Sequence, residues 1–160
     1  METPNELSEY FDSVDARIQF RTRTEPIPGD FRTAWRVAAL CLILRHSRAD
    51  SAPVEQLHTL WWAIRSEHTR NLFLKWHEGS KSPDELLVRF DPSVDVTIDL
   101  TLGAELASRE PSGTIKLTPT GKSFADDIAQ GSSLVAERAF LQSLSGRVTQ
   151  RQIRDLLEWT

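Results

Sequence analysis

The sequence predicts a mainly α-helical chain with one small β-hairpin, arranged as a winged helix with an N-terminal amphipathic helix and a C-terminal helical pair. Two observations carry this. Residues 105–117 read as strand, polar turn and strand, with Arg109-Glu110-Pro111-Ser112-Gly113 at the reversal and Thr118-Pro119 opening another helix. Upstream, apolar side chains recur at helical spacing in successive segments bounded by caps, prolines and glycines. With 160 residues, 39% of them hydrophobic, the chain suffices for one good core and a small appendage. The expected organisation is an N-terminal helix and linker over residues 1–30, a winged-helix domain over 31–130 and a C-terminal helical extension over 131–160.

Within residues 5–18, Leu7, Phe11, Val14 and Ile18 line one face of a helix while Glu6, Glu9, Asp12 and Asp15 line the other. Such a helix packs back on its own domain or docks on a partner. Ile18 and Phe20 then alternate with Arg17, Gln19 and Arg21 as in a short strand, before Pro26-Ile27-Pro28-Gly29 breaks the chain. Residues 31–46 are apolar around more than half of a helix, leaving Arg32, Arg36 and Arg45 to reach solvent, which marks the central helix. After a polar turn over 47–51, Pro53 stands where a first helical residue tolerates proline, and Leu57, Leu60, Trp61 and Ile64 form the stripe of a helix over 53–65. Ser66 is an N-cap for a helix over 67–77, which turns Leu72, Phe73 and Trp76 inward and ends at Gly79.

Residues 86–90 are short and β-prone and are expected as the edge strand of the wing sheet. Asp91-Pro92 opens the next segment, where two patterns compete. Val94, Val96, Ile98, Leu100 and Leu102 alternate as in a strand, whereas the cap, Gly103 and the hairpin that follows require a helix. The helix is preferred, because without it the helical bundle lacks a packing face. Beyond the hairpin come a helix carrying Phe124 and Ile128, one over 133–144 that stops at Gly146, and one opened by the capping box Thr149-Gln150-Arg151-Gln152.

The formal net charge of −4 supplies no global field toward nucleic acid or an anionic membrane, so any DNA contact must be local. The single cysteine, Cys41, lies in an apolar run, as expected of a buried side chain in a reducing compartment. With no apolar run long enough to span a membrane and no export signal, the cytoplasm is the expected location. Gly121-Lys122-Ser123 resembles the end of a phosphate loop, but Lys116 stands where the first glycine belongs, and a helix start explains the tripeptide better. His46, His58, His68 and His77 lack metal-ligand spacing, and neither Asp95/Asp99 nor Asp126/Asp127 has a catalytic companion. The expectation is a non-enzyme with no catalytic, cofactor or metal residue.

In a DNA-reading winged helix, the helix before the wing offers cations and amides to the major groove. Here it offers Asp95 and Asp99 and no basic residue, and an acid among phosphates releases no counterion. If DNA is contacted at all, the candidates are Arg65, Arg70 and Lys75 on the 67–77 helix and its approach, with Arg109 and Lys116 on the wing. Five tryptophans, including the adjacent Trp61 and Trp62, speak for protein contacts instead, because one helix face cannot easily bury both neighbours. Leu7, Phe11, Val14, Arg32, Arg36 and Trp62 are the candidate partner-binding residues.

The segments F-R-T-A-W-R-V-A, L-H-T-L-W-W-A-I-R-S, V-R-F-D-P-S and I-K-L-T-P-T-G-K-S-F-A-D-D-I together resemble the middle component of bacterial ABC-three-component defence systems, the small subunit of Lamassu-type anti-phage systems. The resemblance covers roughly residues 31–159; the arginine-rich first segment and the tryptophan-rich second are its distinctive parts. It implies a non-catalytic accessory protein that binds an SMC-like ATPase in a complex with an effector such as a nuclease. It supplies no catalytic residues. The competing expectation is a winged-helix transcription regulator that binds DNA as a homodimer.

Overall fold

The structure, a computed structural model, describes residues 29–82, 85–144 and 148–158, and its side chains from residue 32 onward. The predicted amphipathic helix with Leu7, Phe11 and Val14, and the strand after it, lie outside the described residues. The described chain is mainly helical, with seven α-helices and a small three-stranded antiparallel sheet.

Helix α1, Gly29–His46, is the axis. Every residue from Ala38 to Leu44 is buried, so the apolar run is covered on all sides rather than along one stripe. Helices α2 (Val54–Ile64), α4 (Ser93–Gly103), α5 (Pro119–Gln130) and α6 (Val135–Ser143) pack against it. Cys41 is fully buried here, and burial pushes its thiol up to about 12. Helix α3, Glu67–His77, is held at its start by a reciprocal cap between Ser66 and Thr69, and Gly79 turns the chain at a φ of 78°. Its Phe73 is fully buried against Trp76 and Phe140. Helix α7, Gln150–Leu157, opens on the Thr149–Gln152 capping box and sends Ile153 and Leu156 into the same core as Phe140 and Leu141 of α6.

The third strand is a correction. It is β1, Ser51–Ala52, within and just after the expected polar turn, and not residues 86–90. The chain leaves α1 through a 3-10 turn, Arg48–Asp50, in which Ala49 and Asp50 both have a φ of 56°. This reversal lays Ala52 beside Ile115 and Ser51 beside Lys116 on strand β3, Ile115–Leu117. Strand β2, Ala107–Arg109, pairs with the other side of β3, giving the order β1-β3-β2. Residues 86–90 do alternate, Leu86 and Val88 buried and Leu87 and Phe90 exposed, but they plug the core without a ladder because both sides of β3 are already paired.

Helix α4 settles the competition between strand and helix, and the reason is in its threonines. Its buried stripe is Val94, Thr97, Ile98 and Thr101, an i, i+3, i+4, i+7 set. The Thr97 and Thr101 hydroxyls each donate at 2.7 Å to the carbonyl four residues earlier, so they enter the core with their polar groups satisfied. Asp91 caps the helix by accepting from the Ser93 amide at 2.9 Å.

A charged belt ties the end of α1 to α5. Arg45 donates to Asp50 at 2.7 Å and to Asp126 at 2.9 Å, and Lys122 reaches Asp50 at 2.8 Å. Burial opposes ionisation of Asp50, but the hydrogen bonds from Lys122 and Arg45 outweigh it and hold the carboxyl below its ordinary value. One residue before Lys122, Gly121 lies so close to the hairpin entry that a Cβ there would sit 1.8 Å from the Leu106 carbonyl oxygen. The G-K-S tripeptide is thus the packed start of a helix, with its lysine committed to Asp50.

Candidate functional site

Helix α4 has an inverted outer face. While its threonines are inside, Val96 is 56% and Leu100 43% exposed, flanked by the exposed acids Asp95 and Asp99. At 100° per residue these four occupy one arc. Phe90, 52% exposed, extends the face: its ring stacks on His58 at 4.6 Å, and His58 Nε2 stands 3.5 Å from Asp95 Oδ1. Two apolar side chains and two acids therefore project from the outer face of α4, with Phe90 beside them.

Two clefts continue from Phe90 toward α1. The first, of about 570 Å³, has Trp62, Arg65, Arg89 and Phe90 among its walls. The second, of about 280 Å³, has Arg32, Trp35, Arg36 and Arg65. They meet at the ion pair of Arg65 with Asp91, 2.8 Å long, which braces the same carboxylate that caps α4. Burial opposes ionisation of Asp91, but the Ser93 amide and Arg65 prevail and keep its carboxyl below the ordinary value. Trp61 is buried edge-on to Trp35 at 5.6 Å, while Trp62 is half-buried at the cleft wall, so the two adjacent indoles divide between core and surface.

Of the residues singled out in the sequence, Arg32, Arg36, Trp62 and Arg65 come together around these clefts. Arg70 does not join them, since its guanidinium donates at 2.8 Å to the Ile64 carbonyl and closes the end of α2. Lys75 is exposed on α3, Arg109 is exposed at the end of β2, and Lys116 is on the sheet, 3.3 Å from Glu110. The sequence reading missed Phe90, Arg89, Val96 and Leu100. The signal for the last two was present: once residues 93–103 are helical, the alternating apolar residues cannot share a face, and the pair four apart at 96 and 100 must oppose the pair at 94 and 98.

Among the described residues no group of histidine, cysteine or carboxylate side chains is arranged to hold a metal, and no helix is long and apolar enough to cross a membrane. No family model, curated protein or solved structure matches this chain.

Proposed function

We propose that the chain is a non-catalytic accessory subunit with a winged-helix core, which joins an SMC-like ATPase to an effector nuclease in an anti-phage defence complex. The carrying observation is the inverted α4, which buries threonine and leaves Val96 and Leu100 in water. Covering a valine or leucine fully is worth about 1.5–3 kcal/mol, so a partner that closes over this face recovers energy the isolated chain forgoes. The acids beside it select a partner segment with apolar and basic side chains, and the arginine clefts next to it accept acidic ones. The fold reading is supported by the sheet order, in which the short strand after the first helix pairs with the returning strand of the hairpin. The identity of the partners rests on the family resemblance of the sequence.

The same face argues against a sequence-reading DNA regulator. Asp95 and Asp99 repel phosphate, and of the alternative cations Arg65 and Arg70 are engaged within the fold. Co-expression with an ATPase encoded beside it tests the proposal: the two should co-purify, and the isolated chain should shift duplex DNA weakly or not at all at low salt. A strong, salt-sensitive shift of DNA by the isolated chain, without ATPase capture, would favour the regulator.

A further inference from the structure

Beside the sheet, three cations that are distant in sequence line one cleft. Arg48 from the turn after α1, Lys116 from β3 and Arg151 from the first turn of α7 line one cleft of about 490 Å³. This concentration is unusual in a chain of net charge −4. Neither Arg48 nor Arg151 has an ion-pair partner among the described residues, and both are exposed. Lys116 shares Glu110 at 3.3 Å, leaving an excess of two positive charges on the cleft walls. Arg32, Arg36 and Arg109 also have no ion pair among the described residues, so what distinguishes Arg48 and Arg151 is that they share one cleft with Lys116.

The cleft is built rather than incidental. The left-handed backbone of Ala49, which also lines the cleft, follows Arg48 in the turn, and the strand ladder sets Lys116 opposite Ser51, another lining residue. The first turn of α7, where helix polarity favours an anion, forms another wall. Gln56, only 3% exposed, also lines it, and among the described residues its amide makes one long bond, 3.4 Å to the Val148 carbonyl. That bond is at the limit of hydrogen bonding and readily exchanged for a better acceptor. The volume lies within the range of small-ligand sites, about 300–1,000 Å³.

We propose that this cleft binds a phosphorylated small molecule of about mononucleotide size, its phosphate held by Arg48, Lys116 and Arg151 and its uncharged part against Ala49 and Val148 with the Gln56 amide. Arg48 and Arg151 then gain the counter-charge they lack, in the forked geometry arginine offers to phosphate.

Isothermal titration of the full chain with adenosine monophosphate, inorganic phosphate and a short DNA duplex tests this. The mononucleotide should bind at least tenfold more tightly than inorganic phosphate, and Arg48→Ala/Arg151→Ala should weaken it at least tenfold. Both side chains are exposed, so the thermal midpoint of the ligand-free variant should stay put; Lys116→Gln provides a second, independent loss. Arg109→Ala, outside the cleft, should leave binding unchanged. Absence of mononucleotide binding, or binding that survives both variants, would overturn the proposal. So would binding of the duplex alone that the double variant abolishes, which would make the cleft a contact for a nucleic-acid backbone.

Discussion

Two sides of the molecule treat charge and apolar surface in opposite ways. Where α1 meets α5, the buried Asp50 satisfies Arg45 and Lys122, and Arg45 also holds Asp126, so every member has a partner within the fold. On the outer face of α4, Asp99 has no ion pair among the described residues, Asp95 has only the edge of His58, and Val96, Leu100 and Phe90 stand in solvent. The first region is complete by itself. The second is stable because of what it buries, Thr97 and Thr101 with their hydroxyls bonded to the helix, and incomplete in what it shows. The difference separates residues that hold the fold from residues the fold leaves exposed, and substitutions on the two sides should divide accordingly.

The largest effect belongs to the packed side. Gly121→Ala forces a methyl group against the Leu106 backbone, not against a side chain that could swing away, so either α5 or the hairpin must shift. A loss of about 3 kcal/mol or more is expected, read from the denaturant midpoint. Asp50→Asn comes next. Asparagine tolerates the left-handed backbone, so the change isolates the charge: Arg45 keeps Asp126 while Lys122 loses its partner, at a cost of about 2–3 kcal/mol at neutral pH. The native Asp50 carboxyl lies below the ordinary value of about 3.9, so its contribution is present above about pH 4 and disappears as pH falls through the lowered native value. The variant should accordingly lose stability at neutral pH and show a flatter acid limb in a pH series of melting curves. An unchanged acid limb would remove the belt from its place in the comparison.

The smallest stability effects belong to the open side. Val96→Ser and Leu100→Ser replace exposed side chains on a helix whose core stripe is untouched, and each should change stability by no more than about 0.5 kcal/mol. A loss of 2 kcal/mol in either would mean that the face is already covered within the chain.

Much of the fold was readable. The helices starting at Val54, Glu67, Ser93, Pro119 and Gln150 carry caps or prolines whose hydrogen-bonding logic is local, and the hairpin has its turn residues. What escaped depends on contacts distant in sequence. Two residues, Ser51 and Ala52, have no strand signature of their own; they become a strand because β3 lies beside them, and the left-handed Ala49 and Asp50 put them there. Residues 86–90 have the signature, but no vacant edge of β3 meets them. The site divides in the same way. The acids at 95 and 99 were evident by type, whereas the gathering of Arg32, Arg36, Trp62 and Arg65 around one pair of clefts needed the packing of α1 on α2 and the Arg65–Asp91 pair.

On this proposal the outer face of α4 meets protein and not DNA. The affinity of the purified chain for its co-expressed ATPase, measured beside that of Val96→Ser/Leu100→Ser and of Asp95→Lys/Asp99→Lys in one buffer with duplex DNA as competitor, tests it most directly. Both variants should keep their fold and lose at least tenfold in affinity for the ATPase, with DNA failing to compete against the unmodified chain. Undiminished ATPase binding by both variants, or displacement of the ATPase by duplex DNA, would contradict it.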